Sequence, residues 1–436
     1  MGWKEYYQER KTTAAEAVSR IENGSHVVLA HCVGEPSALT RAMVENAEQY
    51  ENITIHHMVR LGPLDYATPG LEKHFRIEPW FSAGNARAAI SEARGDFAPV
   101  FFHEVPILIR TGRVGCDVTL VGVSPPDANG FVSTGTSVDY TYQAIKTAKY
   151  VVAQVNPRMP RTMGESFVHV SEIDAFVEAE DELFEVAPPK ITDVEKAIGE
   201  HCASLIENGS TLQLGIGAIP DAVMLFLKDK KDLGIHSEMI ADGTLELYNS
   251  GVINNSMKSE NKGKMTVTFL MGTRALYDFA HENPAVEVRP VDYVNHPITV
   301  ARQYKIVCIN SAMQVDLMGQ VNAEAIGSKQ FSGVGGQVDF VRGSAMAEGG
   351  KSVIAMPSVT IKKDGTTISK IVPFIDAGAP VTTSRCDIDH VVTEFGIAEL
   401  KGKSLRQRAK NLIGIAHPDS RDALKEEFEK RFKEKI

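Results

Sequence analysis

The chain has 436 residues, a formal net charge of −10 and a hydrophobic fraction of 43%. This length exceeds what a single hydrophobic core normally supports, so we expect two domains. The composition is that of a globular protein, and the absence of basic runs and of long apolar stretches excludes a nucleic-acid binder and a membrane-spanning chain.

Five cysteines are spread along the sequence, and no two of them form a Cys-x-x-Cys pair. An odd number at wide spacing argues against a disulfide framework and against a structural zinc site. No His-x-x-x-His or His-Glu-x-x-His spacing occurs, so a catalytic metal is not expected. We therefore expect a cytoplasmic protein without a metal.

A short motif near the N-terminus recurs in the second half of the chain. The sequence Ile-Glu-Asn-Gly-Ser occupies residues 21–25 and again residues 206–210. Each copy follows a helical pattern and precedes an apolar, strand-like run, then small residues, a proline and another helical pattern. The helical patterns are 15–21 and 197–206, and the strand-like runs are 27–30 and 212–214. We interpret this match as a duplicated helix–strand–loop–helix unit.

β-Branched runs alternate with longer helical patterns along both halves of the chain. The predicted strands are 118–123, 150–155, 266–270, 306–309, 352–355 and 391–393. This alternation predicts an α/β fold with largely parallel sheets. Two prolines, Pro188 and Pro189, follow an acidic stretch and precede a new helical pattern, so we place the domain boundary there. The predicted domains are 1–188 and 189–436, the second ending in an amphipathic helix over 422–436.

Two glycine-rich segments are candidate binding loops. Residues 213–220, Gln-Leu-Gly-Ile-Gly-Ala-Ile-Pro, connect a predicted strand to a predicted helix, where backbone N–H groups can hold a phosphate or an oxyanion. The segment is neither a Walker loop nor a full GxGxxG motif, so a structural turn is an equal interpretation. A second cluster, Gly333, Gly335 and Gly336, has the same two interpretations. Two such loops favour a ligand with several anionic groups.

Glu238 lies between these loops in the sequence His-Ser-Glu-Met, after an apolar lead-in at 233–235. The lead-in predicts a strand end, which is where α/β sheets bind ligands. A single glutamate is more often a solvated surface residue, so the pattern alone does not assign it a role. His31 follows the first motif copy about where Gly215 follows the second. It is a candidate to face the same cleft, with a structural role as the alternative.

Taken together, these motifs resemble the acetyl-CoA hydrolase/transferase family nearly end to end. The segments that match are 30–33, 102–106, 124–127, 213–220, 236–239, 330–340 and 371–374. The resemblance implies two similar open-sheet α/β domains of the CoA-transferase (NagB/RpiA-like) type, with the active site between them, in a homodimer or larger homo-oligomer. One departure is Ala241, where many relatives carry serine.

The resemblance also implies the roles of the candidate residues. Glu238 would be the nucleophile. Apart from the resemblance, Gln213 and His31 are candidates to orient Glu238 or the substrate. The implied coenzyme A and oxyanion contacts are Gly215, Ile216, Gly217, Ala218 and Ile219, with Gly333, Gly335 and Gly336. Coenzyme A is then a substrate, and no tightly bound cofactor is expected.

The implied reaction moves coenzyme A between a short-chain acyl-CoA and a carboxylate such as acetate. It would follow a ping-pong mechanism through a glutamyl-CoA thioester, with 4-hydroxybutyryl or butyryl as the acyl group. Two alternatives stay open. One is a thioesterase of the same family, in which water resolves the glutamyl-CoA, and the other is a noncatalytic CoA-binding subunit, against which Glu238 and both loops argue.

Overall fold

A computed structural model describes residues 2–84 and 86–436, and the chain divides into two compact units. The first unit consists of Met1–Ala187 and Met265–Asn295, and the second of Pro188–Lys264 and His296–Ile436. Within the described residues, no helix is long and apolar enough to cross a membrane.

The helices follow the chain as short segments between the strands. The α-helices are α1 (Trp3–Glu9), α2 (Ala14–Val18), α3 (Ser37–Glu45), α4 (Ala86–Ser91), α5 (Val105–Arg110), α6 (Thr141–Thr147), α7 (Asp193–Ser204), α8 (Ala218–Leu225), α9 (Gly243–Asn249), α10 (Arg274–Ala280), α11 (Val291–Val294), α12 (Pro297–Ala301), α13 (Gln337–Met346), α14 (Leu405–Gly414) and α15 (Pro418–Phe432). Turns of 3₁₀ helix occur at Cys32–Gly34, Ala47–Gln49, Asp65–Ala67, Phe102–Glu104 and Val170–Glu172.

The strands are also short. They are β1 (His26–Leu29), β2 (Ile53–His57), β3 (Phe75–Pro79), β4 (Val118–Val123), β5 (Phe131–Ser133), β6 (Tyr150–Val155), β7 (Met163–Gly164), β8 (Phe167–His169), β9 (Ala175–Glu178), β10 (Thr211–Leu214), β11 (Gly234–Ile235), β12 (Met239–Ile240), β13 (Met265–Val267), β14 (Phe269–Leu270), β15 (Val286–Val288), β16 (Ile306–Asn310), β17 (Gln314–Asp316), β18 (Val321–Asn322), β19 (Ala325–Ile326), β20 (Lys329–Gln330), β21 (Lys351–Ala355), β22 (Val359–Ile361), β23 (Thr367–Ser369), β24 (Ile371–Val372), β25 (His390–Thr393) and β26 (Gly396–Glu399).

The first unit is built on a parallel sheet with strand order β3-β2-β1-β4-β6-β9. Every residue of β4 is buried, as expected for a strand covered on both faces. Leu39 and Met43 of α3 belong to one core cluster, and Ile145 of α6 belongs to another that includes Val121 and Val123. The apolar run at 118–123 therefore forms a central strand.

The second unit is built on a similar sheet with strand order β11-β10-β16-β21-β25-β26. All neighbouring pairs are parallel except β25 with β26, which is antiparallel. Ile354 and Val391 pack with Val341 of α13, and with Leu424 and Phe428 of α15, in one core cluster. The predicted α/β class with two similar, largely parallel sheets is confirmed.

Both copies of the repeated motif form the same turn before a strand. The glycine has a φ of +76° in each copy, a conformation that favours glycine. The asparagine side-chain oxygen accepts a hydrogen bond from a backbone N–H at 2.8 Å in the first copy and 2.9 Å in the second. The residues concerned are Asn23, Gly24 and Glu51, and Asn208, Gly209 and Lys231. The asparagine and the glycine of the repeated motif therefore have the same structural roles in both turns.

The correspondence between the units extends into the neighbouring strand. Ile55 of β2 and Ile235 of β11 lie opposite matching positions in the two copies of the repeated strand. Three residues further along the chain, the first unit has Met58 and the second has Glu238. The two units thus have equivalent strand ends with different side chains there.

The second predicted domain, 189–436, differs from the structure in one segment. Residues 265–295 join the first unit, because β15 pairs with β13 on one side and with β7 on the other. The predicted strand 266–270 is also two short strands, β13 and β14. The partner strand, Met163–Gly164, is only two residues long and left no pattern in the sequence.

Candidate active site

The register of the second sheet brings the glutamate and the first glycine loop to the same edge. β10 and β11 run parallel, with Leu212 opposite Ile235. Gly215 and Glu238 each follow three residues later, at the carboxyl ends of adjacent strands. In open parallel sheets, ligands bind at this edge.

Glu238 lies on a turn that is fixed by its neighbours. The Ser237 hydroxyl donates to the Leu214 carbonyl at 3.0 Å, and the Leu214 N–H donates to the Ser237 oxygen at 3.3 Å. His236 is fully buried, and its Nδ1 lies 3.3 Å from the amide nitrogen of Gln303. The Glu238 side chain itself is partly exposed. The carboxylate is therefore held on a fixed backbone while it stays accessible.

A small pocket lies beside this turn. Its wall includes Gly215, and also Ser237 and Met239, the residues on either side of Glu238. The remaining wall is mostly apolar and consists of Leu214, Met224, Ile235, Ile240, Ala241 and Thr244. Ala241, the departure from the family pattern, thus contributes a methyl group to this wall.

The first glycine loop offers backbone N–H groups to open space. Gly217 precedes α8 with φ +121° and ψ 178°, a conformation that is essentially restricted to glycine. A Cβ added at Gly215 or Gly217 would meet no atom within 4 Å. The N–H groups of Ile216, Gly217, Ala218 and Ile219 donate no hydrogen bond within the described part of the chain. These donors are arranged as an anion site at a helix N-terminus.

The second glycine cluster lies over the next strand of the same sheet. Gly335 has a φ of +55°, and Gly336 caps the start of α13. Gln337, the first residue of that helix, donates from Nε2 to the Ser311 carbonyl at 2.6 Å, just beyond the end of β16. Gly333, Gly335 and Gly336 are buried. The two clusters therefore lie at the same sheet edge, and the first is the more open.

Gln213 and an unpredicted partner join two of these strands. Gln213 is buried in β10, and its Oε1 accepts a hydrogen bond from Nδ2 of Asn310 at 3.2 Å. Asn310 directly follows the apolar run 306–309 and is the last residue of β16. A polar residue at the end of a predicted strand was the sequence signal for this partner. The pair links β10 to β16 directly behind the first glycine loop.

His31 lies in the first unit, whereas the other candidate residues lie in the second. It is 1% exposed, and its Nδ1 lies 3.1 Å from Oδ2 of Asp139. The ring packs edge-on against Phe102 and Phe269. Because a carboxylate oxygen accepts, the Nδ1–H donates to Asp139, and Nε2 is a buried atom without a hydrogen-bond partner among the described residues. These contacts hold the His31 ring in place, and its orienting role stays a prediction.

Two aspartates, Asp221 and Asp242, lie close to each other near the pocket. Burial raises the pKa of Asp221 in α8 above its usual value, and the negative charge of Asp242 raises it further. Asp242 immediately precedes α9, the helix that follows the Glu238 turn. The start of α8 and the start of α9 therefore lie close together.

Comparison with known proteins places this geometry in a family. Residues 1–188 match the acetyl-CoA hydrolase/transferase N-terminal domain, and residues 272–428 match the C-terminal domain. A 4-hydroxybutyrate coenzyme A transferase of Clostridium kluyveri is 56% identical over 99% of this chain and 100% of its own length. A butyryl-CoA:acetate CoA-transferase of Anaerostipes caccae is 37% identical over 99% of this chain and 98% of its own.

Solved structures agree with these matches. RipA from Yersinia pestis is similar with a TM-score of 0.92 at 35% identity, over 99% of this chain and 100% of its own. A 4-hydroxybutyrate CoA-transferase from Porphyromonas gingivalis gives a TM-score of 0.85 at 40% identity, over 99% of this chain and 100% of its own.

Proposed function

The chain belongs to the acetyl-CoA hydrolase/transferase family, and we propose that it transfers coenzyme A between a short-chain acyl-CoA and a small carboxylate through covalent catalysis by Glu238. It is an enzyme of the CoA-transferase type. Coenzyme A is a substrate in this reaction.

One observation supports the role of Glu238. It lies beside backbone N–H groups that donate no hydrogen bond to the described part of the chain. An accessible carboxylate and the amides of Ile216 to Ile219 follow adjacent strand ends at one sheet edge. A carboxylate becomes an effective nucleophile when its attack generates an oxyanion that aligned donors stabilise. The mostly apolar pocket wall removes water from the same place.

The proposed first half-reaction has two steps. A Glu238 oxygen attacks the thioester carbonyl, so that a C–O bond forms, the C–S bond breaks, and an acyl-glutamyl anhydride and CoA thiolate result. The thiolate then attacks the glutamyl carbonyl, forming the glutamyl-CoA thioester and releasing the original acyl group as a carboxylate. No proton is gained or lost, so neither step needs an acid or a base.

The second half-reaction reverses these steps with the acceptor carboxylate. The acceptor attacks the glutamyl-CoA carbonyl, and the expelled thiolate then attacks the acyl carbonyl of the new anhydride. Because the first product leaves before the acceptor binds, the kinetics are ping-pong. Each tetrahedral intermediate places negative charge on one oxygen, which the amides of the first glycine loop would stabilise.

The names of the relatives suggest the substrates. Two of them act on 4-hydroxybutyrate or butyrate, and one uses acetate as the exchange partner. We therefore propose 4-hydroxybutyryl-CoA or butyryl-CoA as donor and acetate as acceptor. These acyl groups differ by a hydroxyl, a difference that an apolar pocket discriminates only weakly.

A direct test compares Glu238→Ala with a matched glutamate variant. The purified chain is mixed with butyryl-CoA, with and without acetate, and acetyl-CoA and free coenzyme A are followed by chromatography. We expect acetyl-CoA only when acetate is present, and none from Glu238→Ala. Glu246→Ala is the control, since Glu246 is an exposed residue in α9 that pairs with Lys228 on the surface.

Other outcomes would change the assignment. Free coenzyme A released at an equal rate without acetate would indicate a thioesterase. Unchanged transfer by Glu238→Ala would remove this residue from the mechanism. Mass spectrometry of the wild-type chain after incubation with butyryl-CoA should find coenzyme A on the peptide that contains Glu238.

A further inference from the structure

Lys370 lies at the same edge of the second sheet as Glu238. Its N–H donates to the Ser358 carbonyl at 2.8 Å, and its carbonyl accepts the Val315 N–H at 2.8 Å. Ser358 follows the carboxyl end of β21, and Val315 belongs to β17, the strand after β16. The backbone of Lys370 is therefore fixed just beyond the carboxyl ends of two central strands.

The Lys370 ammonium group makes no direct polar contact with the described part of the chain, although the charge of Glu394 acts on it. The side chain is half-buried, and within the described residues its Nζ makes no hydrogen bond or ion pair. The carboxylate whose charge acts on it, Glu394, accepts hydrogen bonds from Ser358, at 2.8 Å from the N–H and 2.5 Å from the hydroxyl. A partly desolvated cation without a partner is costly unless an anion binds to it.

The pKa of Lys370 is consistent with an anion-binding role for its amine. Burial lowers the pKa of Lys370 to about 8, and the charge of Glu394 only partly opposes this shift. At neutral pH the amine is thus mostly protonated, although its surroundings disfavour the charge. A bound anion would remove that conflict.

We propose that Lys370 binds a phosphate group of coenzyme A, an assignment that rests on the proposed function. Along the strand order β11-β10-β16-β21, three spacings separate the end of β11 near Glu238 from the end of β21 near Lys370. Three spacings amount to roughly 14 Å, a distance comparable to the length of the pantetheine arm between the thiol and the phosphates. A small acyl group that reacts at Glu238 would not reach Lys370, so a phosphate is the anion that fits.

The test measures affinity without requiring catalysis. The probe is a thioether analogue of butyryl-CoA, which has no cleavable thioester and no titrating thiol, and its Kd is measured by calorimetry. We expect Lys370→Gln to weaken binding on the order of ten- to hundredfold, the usual effect of losing one charged hydrogen bond. Lys363→Gln, an exposed lysine of the neighbouring hairpin, removes the same charge and should leave the Kd unchanged.

The pH dependence separates phosphate binding from a structural role. As the pH rises from 7 to 9 the wild-type amine loses its proton, so wild-type affinity should fall across this range. Lys370→Gln has no such proton, and Lys370→Arg keeps its charge, so both should show a flatter profile. The Arg variant should also recover part of the affinity at pH 7.

The dephospho form of the same analogue identifies the phosphate. If Lys370 contacts the 3′-phosphate, wild type and Lys370→Gln will bind the dephospho form equally, and a remaining difference assigns the pyrophosphate. Equal affinities of wild type and Lys370→Gln for the full analogue at pH 7 would overturn the role of Lys370 and leave the proposed function standing. A wild-type chain that does not bind the analogue at all would overturn the proposed function as well.

Discussion

Gly217 determines whether the amides before α8 can face a ligand. Its φ of +121° with ψ near 180° belongs to a backbone region that other residues avoid at a cost of about 1–3 kcal/mol. An alanine would rotate the loop to relieve this strain and would misdirect the N–H groups of its neighbours. The backbone of this one residue therefore supports both the helix start and the proposed oxyanion contacts.

We predict that Gly217→Ala lowers kcat on the order of a hundredfold or more, the usual effect of losing an oxyanion donor. Gly402→Ala is the control, because Gly402 also has a positive φ and open space around its Cβ position but lies in a turn after β26. Steady-state kinetics with butyryl-CoA and acetate measure the difference. Equal kcat values for the two variants would argue against the loop as the oxyanion site.

His57 makes the first unit sensitive to acid. It is 1% exposed, and burial, helped by the charge of Arg60, lowers its pKa to about 3. In the unfolded chain the imidazole titrates near 6.5. A neutral His57 therefore contributes stability above pH 6.5, and this contribution is lost as the pH falls towards 3.

We predict that His57→Asn flattens this dependence. Between pH 7 and pH 5 the wild-type chain should lose about 2 kcal/mol more of its unfolding free energy than the variant, since each pH unit below 6.5 costs about 1.4 kcal/mol. Asparagine can keep the hydrogen bond that Nδ1 makes to the Met58 carbonyl at 2.9 Å. Urea unfolding at both pH values gives the comparison, and parallel losses would show that His57 is not the acid-sensitive group.

At the scale of elements, the repeated turn is the best test of the relation between sequence and structure. Asn23 and Asn208 each accept one backbone hydrogen bond near the surface, and each precedes a glycine with the same φ. We predict that Asn23→Ala and Asn208→Ala each lower the unfolding free energy by about 1 kcal/mol. Calorimetry of the two variants measures this cost, and a cost in only one of them would contradict equivalent turns.

Most central elements were predictable because the local residue pattern determines whether the segment forms a strand or a helix. The runs 118–123 and 150–155 coincide with β4 and β6, since strands buried on both faces are mostly apolar. The apolar stripe of the last helix is buried at Leu424 and Phe428, although that helix begins earlier, at Pro418. Strand ends were less predictable, and Asn310 was missed because its role depends on Gln213 in a different strand.

At the scale of the whole molecule, the sequence predicted the α/β class and the two equivalent turns, but not which unit each segment of the chain joins. The segment 265–295 joins the first unit because β15 pairs with a two-residue strand about 120 positions away. Such long-range pairing leaves no periodic pattern in either partner. The glycine loops and Glu238 were predictable as candidates, whereas the half-buried position of Lys370 at the sheet edge required the fold.

The equivalent strand ends, Met58 in one unit and Glu238 in the other, have a consequence for stoichiometry. If both units carried a carboxylate at this strand end, we would expect each of them to form a thioester with one molecule of coenzyme A. Met58 is a thioether and cannot form a thioester, so if Glu238 acts as proposed we expect a chain saturated with acyl-CoA and then denatured to retain one covalent equivalent of coenzyme A per polypeptide. The two units therefore differ at this strand end, where the second has a carboxylate and the first has a thioether.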